Sequence, residues 1–244
     1  NKIKFSNLIL NKNNLINSVD YVEFDYLDTE NKLNKYFIKK KEKNYYELKG
    51  LSINANTLIT NLLETKDKKK NNIFQNNIFL NINLDKVSLD EFNYIFDLKG
   101  NLFIKDNSVI DADISAVFDD KNNISFTINR DSENNKITTL YSSRAKPLVK
   151  RYKFIKGFDE GYIDFYSSKK NNISKSKLNI YDFKLKELPV LTQILTLASL
   201  QGIADILSGE GIRFDELEIN FRNEKNLMTI DEIYAIGPAI SVLM

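Results

Sequence analysis

Acidic pairs are the first side chains in this sequence that could do chemistry: Asp111 with Asp113, Asp119 with Asp120, and Glu216 with Glu218. Two carboxylates work as acid and base only where a desolvated cleft splits their pKa values. The i, i+2 pairs fall instead on the outward positions of alternating segments, where solvated carboxylates are the default. Asp119, Asp120 and Asn122 could offer oxygens to calcium, but their spacing departs from that of an EF-hand loop. Ser142 and Lys146 supply the groups of a Ser–Lys nucleophile at a spacing that fits no mechanistic arrangement. No Gly-x-Gly-x-x-Gly or phosphate-loop motif occurs, and Gly209-Glu210-Gly211 reads as a turn. Histidine and cysteine are both absent from the 244 residues. Their absence removes Ser–His–Asp and Cys–His nucleophiles, zinc-finger and Fe–S sites, disulfides and imidazole acid–base groups. The expectation is a protein that is not an enzyme and that holds no metal or other cofactor.

Composition narrows the class further. The chain is 42% hydrophobic and 28% charged, which fits neither a disordered nor a membrane-embedded protein. Opposite charges nearly cancel, 35 Lys+Arg against 33 Asp+Glu, so no global field attracts nucleic acid. The runs Lys68-Lys69-Lys70-Asn71-Asn72 and Lys169-Lys170-Asn171-Asn172 lack interleaved aromatics and follow the Asn/Lys/Ile bias of the whole chain. No nucleic-acid partner is expected. Zero cysteine fits an oxidising compartment, and it fits a biased genome equally well. The chain opens on Asn1 and stops inside the apolar stretch 239–244, as a piece of a longer polypeptide would. It shows no signal peptide and no uninterrupted apolar span, so any membrane anchor is expected outside it.

The elements that carry these residues have a period of two. Ile78, Leu80, Ile82 and Leu84 alternate with Asn81, Asn83 and Asp85. Ile110, Ala112, Ile114, Ala116 and Phe118 oppose Asp111, Asp113 and Ser115. Ile124, Phe126 and Ile128 repeat the pattern, as do Leu217, Ile219 and Phe221. Such alternation predicts strands with one dry and one wet face. Polar clusters at 119–123, 131–135 and 167–177 predict turns between consecutive antiparallel strands, in which Asn and Asp take the left-handed positions that scarce glycine leaves open. About ten strands are expected.

Two segments break the period. Residues 56–65 place Leu58, Ile59, Leu62 and Leu63 at helical spacing behind Asn56 as N-cap. Residues 188–208 open on Leu188-Pro189 and close at Gly209. Their polar stripes, Thr192/Thr196/Ser199 and Gln201/Asp205/Ser208, are out of phase across Gly202, which predicts a kinked helix or a helix pair. These polar groups are too many for a lipid-bathed span. A helix packed on the apolar face of a sheet, or resting at a membrane interface, fits better.

Residues 153–244 carry a resemblance. Lys156-Gly157-Phe158-Asp159-Glu160-Gly161-Tyr162-Ile163-Asp164-Phe165 leads to Leu178-Asn179-Ile180-Tyr181-Asp182-Phe183 and then to Leu188-Pro189-Val190-Leu191. Leu195-Thr196-Leu197-Ala198-Ser199-Leu200-Gln201-Gly202-Ile203 and Leu207-Ser208-Gly209-Glu210-Gly211-Ile212-Arg213-Phe214 follow, with Leu227-Met228-Thr229-Ile230-Asp231 and Gly237-Pro238-Ala239 near the end. This order resembles the C-terminal region of AsmA-like proteins, particularly the YhdP branch. One departure is Arg222-Asn223-Glu224-Lys225-Asn226, where members commonly turn on Asp-Gly.

The resemblance implies a periplasmic protein of Gram-negative bacteria, held at the inner membrane by a segment absent from this chain. Members are thought to form curved sheets whose apolar groove conducts phospholipid between inner and outer membranes. The fold expected is therefore mainly β, an elongated, curved antiparallel meander with a groove and a kinked helix or helix pair near 189–208. Residues 1–150 would form one meander segment, with a short helix near 56–65, and residues 151–244 the AsmA-like segment, both within one sheet. The expected groove lining is Ile110, Ile114, Phe118, Phe126, Ile128, Leu217, Ile219 and Phe221. Leu191, Ile194, Leu195, Ala198, Ile203 and Leu207 would face it from a helix acting as a gate. Phospholipid is the expected partner, with envelope proteins as further partners. A non-catalytic scaffold or regulator of outer-membrane biogenesis is the alternative. A sandwich, in which the dry faces meet another sheet, is the plain reading of the same alternation.

Overall fold

A computed structural model describes residues 2–12, 16–56, 77–105, 108–152, 156–186, 209, 211–225 and 227–243. The chain is mostly β, with one short helix among these residues. Fourteen strands follow one another as hydrogen-bonded neighbours in a single mixed sheet, and two more form a separate hairpin. By compactness the chain divides into two units, Asn1–Lys121 with Ser125–Asn129, and Asn122–Ile124 with Arg130–Met244.

The first unit begins with β1 (Lys2–Ser6), β2 (Ile9–Leu10), β3 (Ile16–Ser18), β4 (Tyr21–Leu27) and β5 (Leu33–Glu42). It continues with β6 (Tyr45–Asn54), β7 (Ile78–Ser88), β8 (Tyr94–Lys105) and β9 (Ser108–Val117), and takes in most of β10 (Asn123–Arg130). β1 pairs with β4, because the β2–β3 hairpin is inserted between them in sequence. The pairs from β4 to β9 are antiparallel except β6–β7, which is parallel. A parallel pair needs a crossover of a dozen or more residues, and 55–77 is long enough to supply it. This pair makes the sheet mixed rather than a pure meander.

Register turns the period-two pattern into a continuous face. Phe5, Val22, Ile38, Leu48, Ile82, Gly100 and Ile114 are successive cross-strand partners from β1 to β9. The neighbouring row runs Lys4, Glu23, Phe37, Lys49, Asn83, Lys99 and Ser115. Directly opposed residues share a face and adjacent rows point to opposite faces. One side of this unit is therefore apolar and the other largely charged.

The second unit contains β11 (Lys136–Ser142), α1 (Lys146–Tyr152), β12 (Phe158–Lys170) and β13 (Ile173–Leu185). β14 (Ile212–Glu224), β15 (Leu227–Ile236) and β16 (Ser241–Leu243) complete it. Its apolar rows run Ile163, Ile180, Leu217, Ala235, Val242 and, beside it, Leu140, Phe165, Leu178, Ile219, Ile233. Ala145 and Val149, at and within α1, are fully buried in one cluster with Phe158, Phe183 and Phe214. The Phe183 ring stacks on both neighbours, with centroids 5.2 Å from Phe158 and 5.1 Å from Phe214. Gly161 sits at φ 76°, and a Cβ there would lie 2.7 Å from the carbonyl oxygen of Tyr181. Only glycine accommodates both the left-handed backbone and this approach.

Several expectations change here. There are sixteen strands among the described residues rather than about ten, because short and doubly polar segments also pair. The polar stretch 167–177 is mostly strand. β12 and β13 run through it and turn only at Asn171-Asn172, with Ser176 Oγ donating to Ser167 Oγ across the ladder at 2.9 Å. Backbone bonding satisfies a strand whatever its side chains, so composition alone mislabels such a hairpin. α1 was not anticipated, since its seven residues show too little periodicity. Asn7, Asn31, Asn44, Asn134 and Asn171 do take the left-handed conformation. The expected helix over 56–65 lies beyond Asn56 outside the described residues, and so does the kinked helix over 189–208.

Two outcomes follow. Phe183→Ala leaves a cavity between two rings and is expected to lower stability by about 3–5 kcal/mol, read by denaturant unfolding. Asp159 accepts from the ammonium groups of Lys146 and Lys186, each at 2.6 Å, and these bonds hold its carboxyl well below the usual range. A depressed carboxylate stabilises the fold above its unfolded-state pKa, and that contribution is lost as pH falls below about 4. Asp159→Asn should therefore cost about 1 kcal/mol at pH 7 and flatten the acid limb of the stability curve.

Candidate apolar ligand site

The apolar face of the first unit is not evenly covered. Where β2 and β3 fold over it, they leave a cavity of about 360 Å³. Phe5, Val22, Phe24 and Ile38 line it from β1, β4 and β5. Tyr46, Ile78, Leu80 and Ile104 line it from β6, β7 and β8, and Leu8, Ile16 and Val19 come from the hairpin and its flanks. Apart from the Tyr46 hydroxyl, every side chain in this wall is hydrocarbon. Among the described residues no charged group lines the cavity.

The aromatic part of the wall is stiff. Phe24 stacks on Tyr36 with centroids 4.8 Å apart, and Tyr26 meets Phe24 edge-on at 6.3 Å. Burial pushes the Tyr36 phenol up to about 12, with the neighbouring Tyr26 adding to the shift. The rim is exposed and apolar. Phe5 is 62% and Ile9 54% accessible, values more usual for charged residues. Volume and lining fall within the range of small-molecule sites. An alkyl group entering would gain about 0.8 kcal/mol per methylene buried. The arrangement can solvate a hydrocarbon.

The residues expected to line a groove lie elsewhere. Ile114 belongs to the apolar row of the first unit, paired with Gly100, and Ile110 is half-buried at a register shift between β8 and β9. Phe118 and Ile128 are buried, and Phe126 is half-buried. Leu217, Ile219 and Phe221 stand on the apolar face of the second unit, with Phe221 6.5 Å from the Phe165 ring. Leu217 belongs to the closed cluster beneath α1. None of the eight borders the cavity. The gate residues Leu191, Ile194, Leu195, Ala198, Ile203 and Leu207 lie outside the described residues. Of the residues that line this cavity, only Ile78 and Leu80 stood within a segment whose alternation was evident. Val22/Phe24, Tyr36/Ile38 and Tyr46/Leu48 alternate too, but Tyr21, Phe37 and Tyr45 intrude on the opposite parity and mask the period.

The other candidates are dispersed. Ser142 is fully buried and its Oγ donates to the Arg144 carbonyl at 2.7 Å, while the Lys146 ammonium is bound to Asp159. Asp111 and Asp113 are exposed opposite Phe103 and Asn101. Glu218 is held below its ordinary pKa by hydrogen bonds from Lys177, at 2.7 Å, and Asn220. Among the described residues no three Asp or Glu side chains gather as a metal site would need, and no helix is long and apolar enough to cross a membrane.

Compared with family models, with curated proteins and with solved structures, the chain matches none.

Proposed function

We propose that this chain is the acyl-chain-binding part of an AsmA-like, periplasmic lipid-transport protein. The single observation that supports this reading is the cavity under β2–β3, about 360 Å³ in volume and walled by hydrocarbon on the dry face of the first unit. A phospholipid tail is the ligand class whose free energy of transfer such a wall captures. The sequence resemblance over residues 153–244 supplies the compartment and the direction of the argument: a Gram-negative envelope, with the chain anchored at the inner membrane through a segment elsewhere. The work is transfer rather than bond-making, so no catalytic residue is invoked.

A second reading has its own observation. Among the described residues β1 bonds to β4 on one side only, and Ile3 and Phe5 on it are more than half exposed. An open apolar edge of this kind accepts a strand from another protein. That would suit a scaffold or regulator of outer-membrane biogenesis.

Native mass spectrometry of the purified chain, followed by lipid extraction, separates the two. Acyl binding predicts co-purifying phospholipid in the wild type. Ile38→Asp sets a carboxylate in the wall at a cost of several kcal/mol if it stays charged and unpaired, so lipid loading should fall about tenfold or more. Asp113→Ala, on the wet face, should load like the wild type. Equal loading in folded Ile38→Asp, or a lipid-free wild type after exposure to phospholipid vesicles, overturns acyl binding. Val22→Asp serves as the second wall variant if Ile38→Asp does not fold.

A further inference from the structure

One ammonium ties two turns together in the first unit. Lys32 Nζ donates to Ser88 Oγ at 2.5 Å and to the carbonyl of Asp90, and lies 3.8 Å from the Glu30 carboxylate. Its own turn is built on Asp28, whose carboxylate accepts from the backbone N–H groups of Glu30 and Lys32 and from the amides of Asn34 and Asn54. Burial alone would raise the Asp28 pKa, and these four donors together hold it below the ordinary value. The second turn is built on Asp90 in the same manner, with donors from Phe92 and Asn93. Lys32 is therefore held by these bonds, with its side chain only 12% exposed.

A second ammonium faces the same ring. Lys86 Nζ stands 4.1 Å from the centroid of Tyr94 and Lys32 Nζ 5.0 Å from it. The Phe96 ring is 5.9 Å from Lys86 Nζ. Asn31, Lys32, Ser52, Lys86, Ser88 and Tyr94 border a pocket of about 370 Å³ here, with Leu33, Leu51 and Ile53 as its apolar wall. Among the described residues no carboxylate lines it, and Glu30 reaches it only through its 3.8 Å pairing with Lys32. Lys86 itself is exposed, and among the described residues it is paired with rings and not with an acid. Glu30 and the Asp90 carbonyl answer the Lys32 charge, so Lys86, held over the Tyr94 and Phe96 rings, is the cation of this pocket that an incoming anion can pair with. The pocket shares no lining residue with the apolar cavity.

We propose that this pocket binds a phosphate group, as a monoester or a diester. Lys86 closes on the phosphate oxygens by a charge-assisted hydrogen bond, Lys32 contributes a fixed positive charge, and the Asn31 amide and Tyr94 hydroxyl are the neutral donors within the lining. Leu33 and Leu51 admit an apolar substituent on the ester. Lysine suits this role because it meets phosphate as a mobile point charge and needs no bidentate geometry.

The test is a titration of the full chain with inorganic phosphate at low ionic strength, followed by amide NMR, with sodium chloride as the matched control. Saturable shifts confined to Ser52, Ser88 and Tyr94 are expected, weakened about tenfold in Lys86→Ala and kept within about threefold in Lys86→Arg. Lys86 is exposed, and an amide spectrum of Lys86→Ala unchanged away from Tyr94 and Phe96 shows that its fold is kept. Ile38→Asp should leave phosphate binding unchanged, so the acyl-binding proposal can fail without this one. Sedimentation with phosphatidylglycerol vesicles then separates the sources. Wild-type sedimentation that Lys86→Ala abolishes identifies a lipid headgroup, while phosphate binding without sedimentation identifies a soluble phosphorylated ligand. Shifts scattered over the surface lysines, or equal affinity in Lys86→Ala, overturn the proposal.

Discussion

Everything in the first unit depends on register. A strand has a side-chain period of two, so a slip of one residue between any two neighbours would carry a whole apolar row to the charged side. From β1 to β9 the pairing shifts at only a few places, Lys35/Tyr36 and Lys40/Glu42 between β5 and β6, and Phe96/Lys99 and Phe103/Ile104 between β8 and β9. Between these points the row from Phe5 to Ile114 stays on one side. The ion pairs on the opposite side, Lys35 with Asp25 and Lys49 with Glu47, are solvated and contribute little to stability. Their use is to penalise the slipped registers, in which like charges would face one another.

Register in turn depends on where the chain reverses. With 8 glycines in 244 residues, the left-handed positions at turns fall largely to asparagine. The aspartates beside them do the rest. Asp28, Asp90 and Asp131 each accept two backbone N–H groups from within the four residues that follow, and side-chain amides besides. Such side-chain-closed turns fix loop length without any special backbone freedom, and loop length fixes which residues oppose each other. The resulting rigidity also holds Lys32 in place, so turn chemistry and the cationic pocket have one origin.

Strand identity was readable wherever one parity was purely apolar, as in β7, β9, β10 and β14. It was hidden in the first fifty residues, where Tyr21, Phe37 and Tyr45 occupy the charged side, and in 167–177, where both parities are polar. Aromatic rings tolerate a wet face because their edges and hydroxyls remain solvated, so their presence dilutes the period without changing the fold. α1 escaped notice because one turn of buried contacts, Val149 with the adjacent Ala145, leaves almost no periodic signal. The cavity was less legible still. Its wall is set by where Leu8, Ile16 and Val19 fold back, and no local pattern encodes a contact between a hairpin and a face formed by strands from 2 to 105.

The same strands serve both pockets at different heights. β6 gives Tyr46 to the apolar cavity and Ser52 and Ile53 to the cationic pocket, and β7 gives Ile78 and Leu80 to one and Lys86 and Ser88 to the other. On β6 Leu51 is five residues from Tyr46 and on β7 Lys86 is six from Leu80, about 17 to 20 Å at the rise of an extended chain. Substitutions that far apart, with no shared partner, act independently. Placing the ammonium groups at the end away from the hydrocarbon wall also avoids the desolvation that an ion beside an empty apolar cavity would suffer. The parallel β6–β7 pair is what keeps the two ends in step. Its nine pairings in one register fix Tyr46 beside Leu80 and Ser52 beside Lys86 at once, so neither pocket can change register without the other.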